Sequence, residues 1–438
     1  MTESNVGPDE IYFVTTQRDR RINFFICLID AIGFPVGMSY YAMSTLLPVF
    51  MANLGAGAVT VGTLIAIFNL LVFMPGLFVV GHINGLPRVR SYLMIVALLE
   101  RFALFPLFPL TLMWGHTHKT WLLIAVFVCF MGNGVFMGIN QPAYWIVVGK
   151  CVQAIWRGRL FGFAGGIAGM LGFLVDRSLN HLLSGPTGGF PVGYAYGFLI
   201  GFLITTVTVI PLGFAREPRH EPTLANVSHW KSQIEDAYAV WRTNPPFRLF
   251  LVAQIAVTMV SGAAPYFVLF AKTHLYATMS DVANYTAITV FAGTFAALAW
   301  GAWSDRSGNK IVLVAAAVCA ISAGVLAAVA NSSGAFYGVC TLSSVSTAGL
   351  YIASNNICLE YAPKARDIPL FTSVFNLVTA VPRAAAPLLG GLLAEHSGFR
   401  SVFWMSAIAS LVSVVLTSRI TEPRGPSNRG GSHRALES

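Results

Sequence analysis

Gly301-Ala302-Trp303-Ser304-Asp305-Arg306-Ser307-Gly308-Asn309-Lys310 is a charged, glycine-containing loop between two long apolar segments. A cationic turn of this kind between membrane helices stays on the cytoplasmic side, because Lys and Arg resist translocation. The stretch therefore predicts both a membrane-spanning chain and an orientation for it.

Composition points the same way. Of the 438 residues, 55% are apolar and only 10% charged, against about 25% charged in an ordinary soluble domain. A soluble fold has no place for that much apolar surface, whereas lipid does. A membrane helix needs about 20 mostly apolar residues. Twelve segments meet that need, at approximately 23–50, 58–80, 91–114, 121–149, 159–182, 192–214, 247–271, 282–303, 310–330, 335–361, 369–394 and 400–420.

With both termini placed in the cytoplasm, 21 of the 27 Lys and Arg residues fall on the inner side. Only Lys119, Arg177, Lys272 and Arg400 fall outside, and Arg101 and Arg383 lie within spans. That asymmetry sets the orientation. It also accounts for the net charge of +9 without a nucleic-acid partner. The first 22 residues are polar, so a cleavable leader is not expected and the first span is expected to remain. The six cysteines show no Cys-x-x-Cys spacing and sit in apolar segments or at a span end, where they read as packing residues.

The chain echoes itself. Gly81 to Arg90 occupies the place in the first half that Gly301 to Lys310 holds in the second. Arg157-Gly158-Arg159 is echoed by Arg366 to Phe371, and Arg216-Glu217-Pro218-Arg219 by Thr421 to Arg424. The pattern predicts an N-terminal tail (1–22), a six-helix bundle (23–214), a cytoplasmic linker (215–246), a second six-helix bundle (247–420) and a tail (421–438). The two bundles would be related by a pseudo-twofold axis. Within the linker, 228–243 reads either as an ordered connector or as a helix on the membrane surface.

The loop Gly301-x-x-x-Asp305-Arg306-x-Gly308-x-Lys310, with the twelve spans and the half-repeat, resembles the signature of the major facilitator superfamily. The resemblance covers residues 20–424. It implies an all-α membrane fold in which spans 1, 4, 7 and 10 line a cavity exposed alternately to each side. It also implies that the signature loops latch the inner face. The first-half copy departs from the pattern, with Gly85 and Leu86 where the acidic residue and first arginine belong. The latch is therefore expected to rest on Asp305, Arg306, Gly308 and Lys310, facing Arg157 and Arg159 at the start of the fifth span. The fifth span has Gly162, Gly165, Gly166, Gly169 and Gly172 but no proline, and Phe130 stands near the place of the arginine of the drug/proton antiporter branch. No branch is assigned. The glycines suit close, sliding helix contacts.

Ionisable groups inside lipid are the strongest pointers to chemistry, since they are costly to bury alone. Four stand out: Asp30, Glu100, Arg101 and Arg383. Asp30 shares a helical face with Gly33, Gly37 and Tyr41, where small neighbours leave room for water or solute. It reads as a proton-coupling or gating group, or as the structural partner of Arg101. Glu100 and Arg101 read as an intramembrane ion pair, with proton relay through Glu100 as the alternative. Arg383, between Pro382 and Pro387, reads as an anion-binding group or as another structural charge. Tyr41, Asn133, Asn140, Gln141, Tyr144, Gln254, Asn355, Asn356 and Arg383 are the expected substrate-binding residues. Met137, Tyr266 and Tyr351 lie on the same spans, and Trp300 and Trp303 read as anchors at the membrane interface.

No phosphate-binding loop, metal-ligand cluster or catalytic constellation appears in the sequence. The expectation is a monomeric, non-enzymatic secondary transporter of a bacterial plasma membrane. It would need no cofactor or metal, and its partners would be a small solute, protons and membrane lipid. Export is the favoured direction. The alternatives are an organic-anion importer using Arg383 or Arg101, and a non-transporting lipid-handling or pigment-assembly protein on the same scaffold.

Overall fold

The structure is a computed structural model that describes residues 17–152, 154–184, 188–218, 238–362 and 368–420. All regular structure among them is helical. Eleven helical stretches are long and apolar enough to cross a membrane, and a further apolar helix, Ala58–Phe73, supplies the second span. Helix is what lipid demands, because a hydrocarbon surround offers no partner to an unpaired backbone N–H or C=O. The expected surface helix over 228–243 and the tail from Arg424 lie wholly or largely outside the described residues.

Proline decides where several spans break. The second span stops at Phe73 and restarts as Pro75–Asn84, since Pro75 has no N–H to continue the ladder. The first span runs as Gln17–Met38, tightens into a short turn at Ser39–Tyr41, and resumes as Leu46–Asn53. Pro35 precedes that turn, and the Ser39 hydroxyl donates to the Pro35 carbonyl at 2.8 Å. The seventh span repeats the device: Pro245–Val260, a turn at Ser261–Ala263, then Ala264–His274 with Pro265 in its first turn.

Two compact units result. The first holds the described residues of Met1–Ala42, Asn53–Gly55 and Ile67–Ser228. In it Gln17–Met38 packs on Ala154–Ser184 and Val192–Val209, while Arg90–Phe102 packs on Lys119–Cys151. Ile26, Leu93, Val147, Leu160 and Leu212 fill its core.

The second unit holds Met43–Ala52, Ala56–Ala66 and the described residues of His229–Ser438. Its ninth span, Asn309–Val329, is alanine-rich and lies between the tenth (Ala335–Glu360) and twelfth (Phe399–Ser418). Small side chains let backbones approach: a Cβ on Gly324 would sit 2.8 Å from the Phe403 carbonyl oxygen. Phe247, Phe250, Val312, Phe371 and Phe375 form a core at one end, joined by Trp300. Trp300 corrects an expectation. It is buried, its indole N–H donates to the Val345 carbonyl at 2.8 Å, and it stacks on Trp303. It packs inside the bundle and is not an anchor at the membrane interface, whereas Trp303 beside it is exposed.

Candidate coupling and substrate site

Three of the four intramembrane charges meet inside the first unit. Arg101 Nη2 lies 3.5 Å from Asp30 Oδ1, and Arg101 Nη1 lies 3.5 Å from Glu100 Oε2. Residues 100 and 101 leave the helix about 100° apart, but the guanidinium stem is long enough to fold back over its neighbour. All three side chains are shut off from solvent, with exposures of 4%, 2% and 5% for Asp30, Glu100 and Arg101.

The remaining donors of Arg101 are committed. Its Nε donates to the Thr205 carbonyl at 3.0 Å and its Nη1 to the Ala97 carbonyl at 2.9 Å. The guanidinium also sits 5.4 Å from the centre of the Phe34 ring. Thr205 and Phe34 escape sequence reading because neither is unusual in an apolar span. A group so fully engaged is a poor receptor for a substrate anion, so that role would fall to Arg383, which is partly buried in Ile368–Ser397.

The fourth span adds two amides. Asn140 Nδ2 donates to Glu100 Oε2 at 2.7 Å, and Asn133 Nδ2 donates to the Glu100 backbone carbonyl at 2.8 Å. Glu100 is thus the hub that joins two expected substrate residues to the charged triad. The Oδ1 atoms of Asp30, Asn133 and Asn140 are buried and receive no hydrogen bond from the described residues. Buried acceptors are seldom left so. Three in one cluster mark a place suited to a donor.

The other expected substrate residues lie apart from this cluster. Tyr41 is buried; its hydroxyl donates to the Phe198 carbonyl at 2.6 Å and its ring stacks on Phe198. Gln141 is exposed and Tyr144 half-buried, with its ring edge-on to Trp145. In the second unit Gln254 is buried, and its Nε2 has no acceptor among the described residues. Asn355 donates to the Tyr351 carbonyl at 2.7 Å, a bond within its own helix.

Asn356, in the tenth span, bonds to the turn between the eighth and ninth spans. Its Nδ2 donates to Asn309 Oδ1 at 3.1 Å, while Asn309 Nδ2 donates to Glu360 Oε1 at 2.6 Å and the Ser304 hydroxyl bonds to Asn309. Gly308, at φ 93°, makes the sharp turn between the eighth and ninth spans; the left-handed region explains why glycine stands there. Lys310 Nζ donates to the Ser418 carbonyl at 2.9 Å. Asp305 and Arg306 are exposed. Arg157 is turned toward its own unit, donating to the Val152 and Gly149 carbonyls at 3.0 and 2.7 Å, and Arg159 covers the Trp156 ring at 4.6 Å.

One site was seen in the sequence only as part of the half-repeat. Glu217, just past the sixth span, is buried and accepts from the backbone N–H groups of Val89 and Arg90 at 3.0 and 2.8 Å and from Lys150 Nζ at 2.9 Å. Its carboxylate caps the helix Arg90–Phe102, where the dipole favours negative charge. A signal was present: an acidic residue between Arg216 and Pro218 that recurs as Glu422.

Comparison with known proteins fits this architecture. The model of the Major Facilitator Superfamily matches residues 249–437. The multidrug resistance protein MdtL of Escherichia coli O81 is 26% identical over 192 residues, which is 43% of this chain and 49% of that protein. MdtL of Shigella dysenteriae serotype 1 aligns over the same shares. The aligned part thus spans about half the length of these relatives.

Among solved structures, the nucleoside transporter NupG superposes with a TM-score of 0.62 at 14% identity, covering 92% of this chain and 98% of its own. A POT family transporter in complex with 5-aminolevulinic acid gives 0.69 at 12% identity, covering 93% and 97%. The fucose:proton symporter FucP of E. coli gives 0.61 at 13% identity, covering 92% and 100%. At those identities the likeness concerns the fold. The fold defines a multi-pass, all-α integral membrane protein. Residues 249–437 thus resemble the Major Facilitator Superfamily, and no subfamily is assigned.

Proposed function

We propose that the protein is a secondary active transporter that moves a small organic solute across the bacterial plasma membrane by alternating access, coupled to protons through Asp30. The observation that carries this reading is the triad of two carboxyls around one guanidinium, closed off from solvent in the first unit.

Charge counting gives the mechanism. With Asp30 protonated, Arg101 and Glu100 cancel and the buried cluster is neutral. With Asp30 ionised, the cluster carries a net charge of −1, which a low-dielectric interior strongly disfavours. Loss of the Asp30 charge does not orphan Arg101, because Glu100, Ala97 and Thr205 still hold it. Glu100 in turn is held by Asn140. Asp30 is therefore the member that can gain and lose a proton while the rest stays in place. A solute donor that reaches the Oδ1 acceptors of Asn133 or Asn140, beside Asp30, would feel that change directly.

The substrate reading is an amphipathic compound moved outward. It is supported by the mixture of amides and aromatic rings on the fourth span and by the name of the MdtL relatives, multidrug resistance proteins. The test is proton flux into proteoliposomes bearing an internal pH dye, with pooled amphipathic solutes. Solute-triggered flux that disappears in Asp30→Asn is the expected result. Flux unchanged in the variant would remove Asp30 from coupling and turn attention to Glu100.

A further inference from the structure

The first and second spans are each shared between the two units. Met43–Ala52 and Ala56–Ala66 group with the second unit, whereas the residues up to Ala42, those from Ile67 and the tip Asn53–Gly55 group with the first. The chain thus crosses between units four times within one helical hairpin. At the tip, Lys119 Nζ donates to the Asn53 carbonyl at 3.2 Å, a bond within the first unit. The flanks are held by the second. With twelve spans alternating in direction, the turns after the first and eleventh lie on one side of the membrane. The signature loop after the eighth lies on the other.

The start of the second span is capped in an unusual way. Val61 donates to the Gly57 carbonyl at 3.2 Å, so Gly57 is the cap residue of Ala58–Phe73. A cap residue ordinarily accepts the N–H two or three places on with its own side chain, and glycine has none. Glu395, in the last turn of Ile368–Ser397, takes that role: its Oε1 accepts from the Val59 N–H at 2.8 Å. The unpaired N–H groups and the dipole of a helix start both favour a carboxylate. Gly57 makes the room, since a Cβ there would collide with Glu395 Oε1. Residues 43–66 carry no ionisable side chain, so the charge at this contact comes from Glu395.

The other bonds along the hairpin are neutral. The buried Tyr266 hydroxyl donates to the Pro387 carbonyl at 2.5 Å, with the Ala58 carbonyl as a second acceptor at 3.2 Å. The buried Thr45 and Thr286 hydroxyls meet at 2.7 Å. Gly391 lets the backbones close, for a Cβ there would lie 2.6 Å from the Ala58 carbonyl oxygen. Glu395 differs from all of these in being exposed. Water can replace the Val59 N–H as its partner, which makes this bond the one that can be given up at little cost.

We propose that Glu395 is a clasp that holds the Met43–Ala66 hairpin on the second unit, closes the protein on the side opposite the signature loop, and lets go when that side opens. The inference rests on the alternating-access reading. Glu395 touches no solute in this role; it positions the hairpin.

A native thiol can report on the clasp. Cys340 is buried near the start of Ala335–Glu360 and lines a pocket of about 20 Å³ with Ser44 and Thr45 of the hairpin. In the full-length protein in nanodiscs, the rate at which a membrane-impermeant maleimide alkylates Cys340 is read by peptide mass spectrometry, with the buried Cys27 as reference. Glu395→Gln keeps the size and removes the charge, and Gly57→Ala shuts the carboxylate out from the other side. Each should speed alkylation of Cys340 by about two- to fivefold, the range for a carboxylate at an exposed helix start. Should Glu395→Gln not fold, Gly57→Ala serves alone. Unchanged alkylation would overturn the assignment. A lowered thermal midpoint with unchanged alkylation would also overturn it, by reducing Glu395 to a helix cap. The readout needs neither solute nor proton gradient. Failure of coupling through Asp30 therefore leaves this test standing, and unchanged alkylation leaves the coupling test standing.

Discussion

Arg101 approaches Asp30 no closer than 3.5 Å, nitrogen to oxygen, although both are buried. Its shorter bonds go to the carbonyls of Ala97 and Thr205. The guanidinium is anchored to backbone first and to Asp30 second. The two ends of this pair should therefore respond unequally to mutation. Arg101→Met strands two buried carboxyls and should cost about 3–5 kcal/mol. Asp30→Asn keeps the shape, leaves the Arg101–Glu100 pair, and should cost about 1 kcal/mol or less. Denaturation midpoints in detergent will check the order; equal losses would show that the Asp30 contact is an obligatory structural bond.

Tyr41 separates packing from recognition. It was expected to contact solute, yet its hydroxyl is spent on the Phe198 carbonyl and its ring on the Phe198 face. Tyr41→Phe should lower stability by about 1 kcal/mol and leave the apparent KM for solute as it is. A raised KM with stability unchanged would return Tyr41 to the substrate-binding residues.

The signature loop offers a paired comparison. Gly308→Ala forces a side chain into the left-handed region and should cost about 1–2 kcal/mol. Asp305 is exposed, so Asp305→Asn should stay within about 0.5 kcal/mol of wild type. If Asp305 serves as a latch, its variant should slow transport at low salt and differ less from wild type at high salt. Transport that is equal to wild type at every ionic strength would reduce Asp305 to a solvated turn residue.

Glycines of similar appearance should also diverge. A Cβ on Gly262 would lie 2.6 Å from the Ala386 carbonyl oxygen, whereas at Gly166 it would meet nothing within 4 Å. Gly262→Ala should cost about 1–3 kcal/mol. Gly166→Ala should be neutral or stabilising by about 0.5–1 kcal/mol. Thermal midpoints of the purified variants decide both. The glycines of the fifth span were expected to permit close approach, but Gly162 and Gly166 have open space around them. A stable Gly166→Ala that transports poorly would locate their use in motion.

The spans and the buried charges were legible because each violates a strong rule: apolar runs cannot sit in water, and Asp30, Glu100 and Arg101 cannot sit alone in lipid. Partner choice was less legible. Sequence spacing allowed Arg101 to pair with Asp30 or Glu100, and the structure joins both through one long side chain. Polar residues without charge gave the weakest guide. Asn140 and Asn356 look equivalent in sequence, yet one donates to the triad and the other to the signature loop through Asn309. Glu217 was legible only as part of a repeated element: a carboxylate in a loop costs nothing to place, so the repeat did not say that this one is buried.

That buried carboxylate also bears on how the protein is made. Glu217 ties together the start of the third span and, through Lys150, the end of the fourth, while Arg216 beside it bonds to Asn23 at the start of the first. All of these partners leave the ribosome long before residue 217 does. The first unit must wait in the bilayer with Val89, Arg90 and Lys150 unmatched until the end of the sixth span emerges. Its closure is thus timed by synthesis, and a nascent chain released before Arg216 would carry six spans without the two residues that tie the first, third and fourth together.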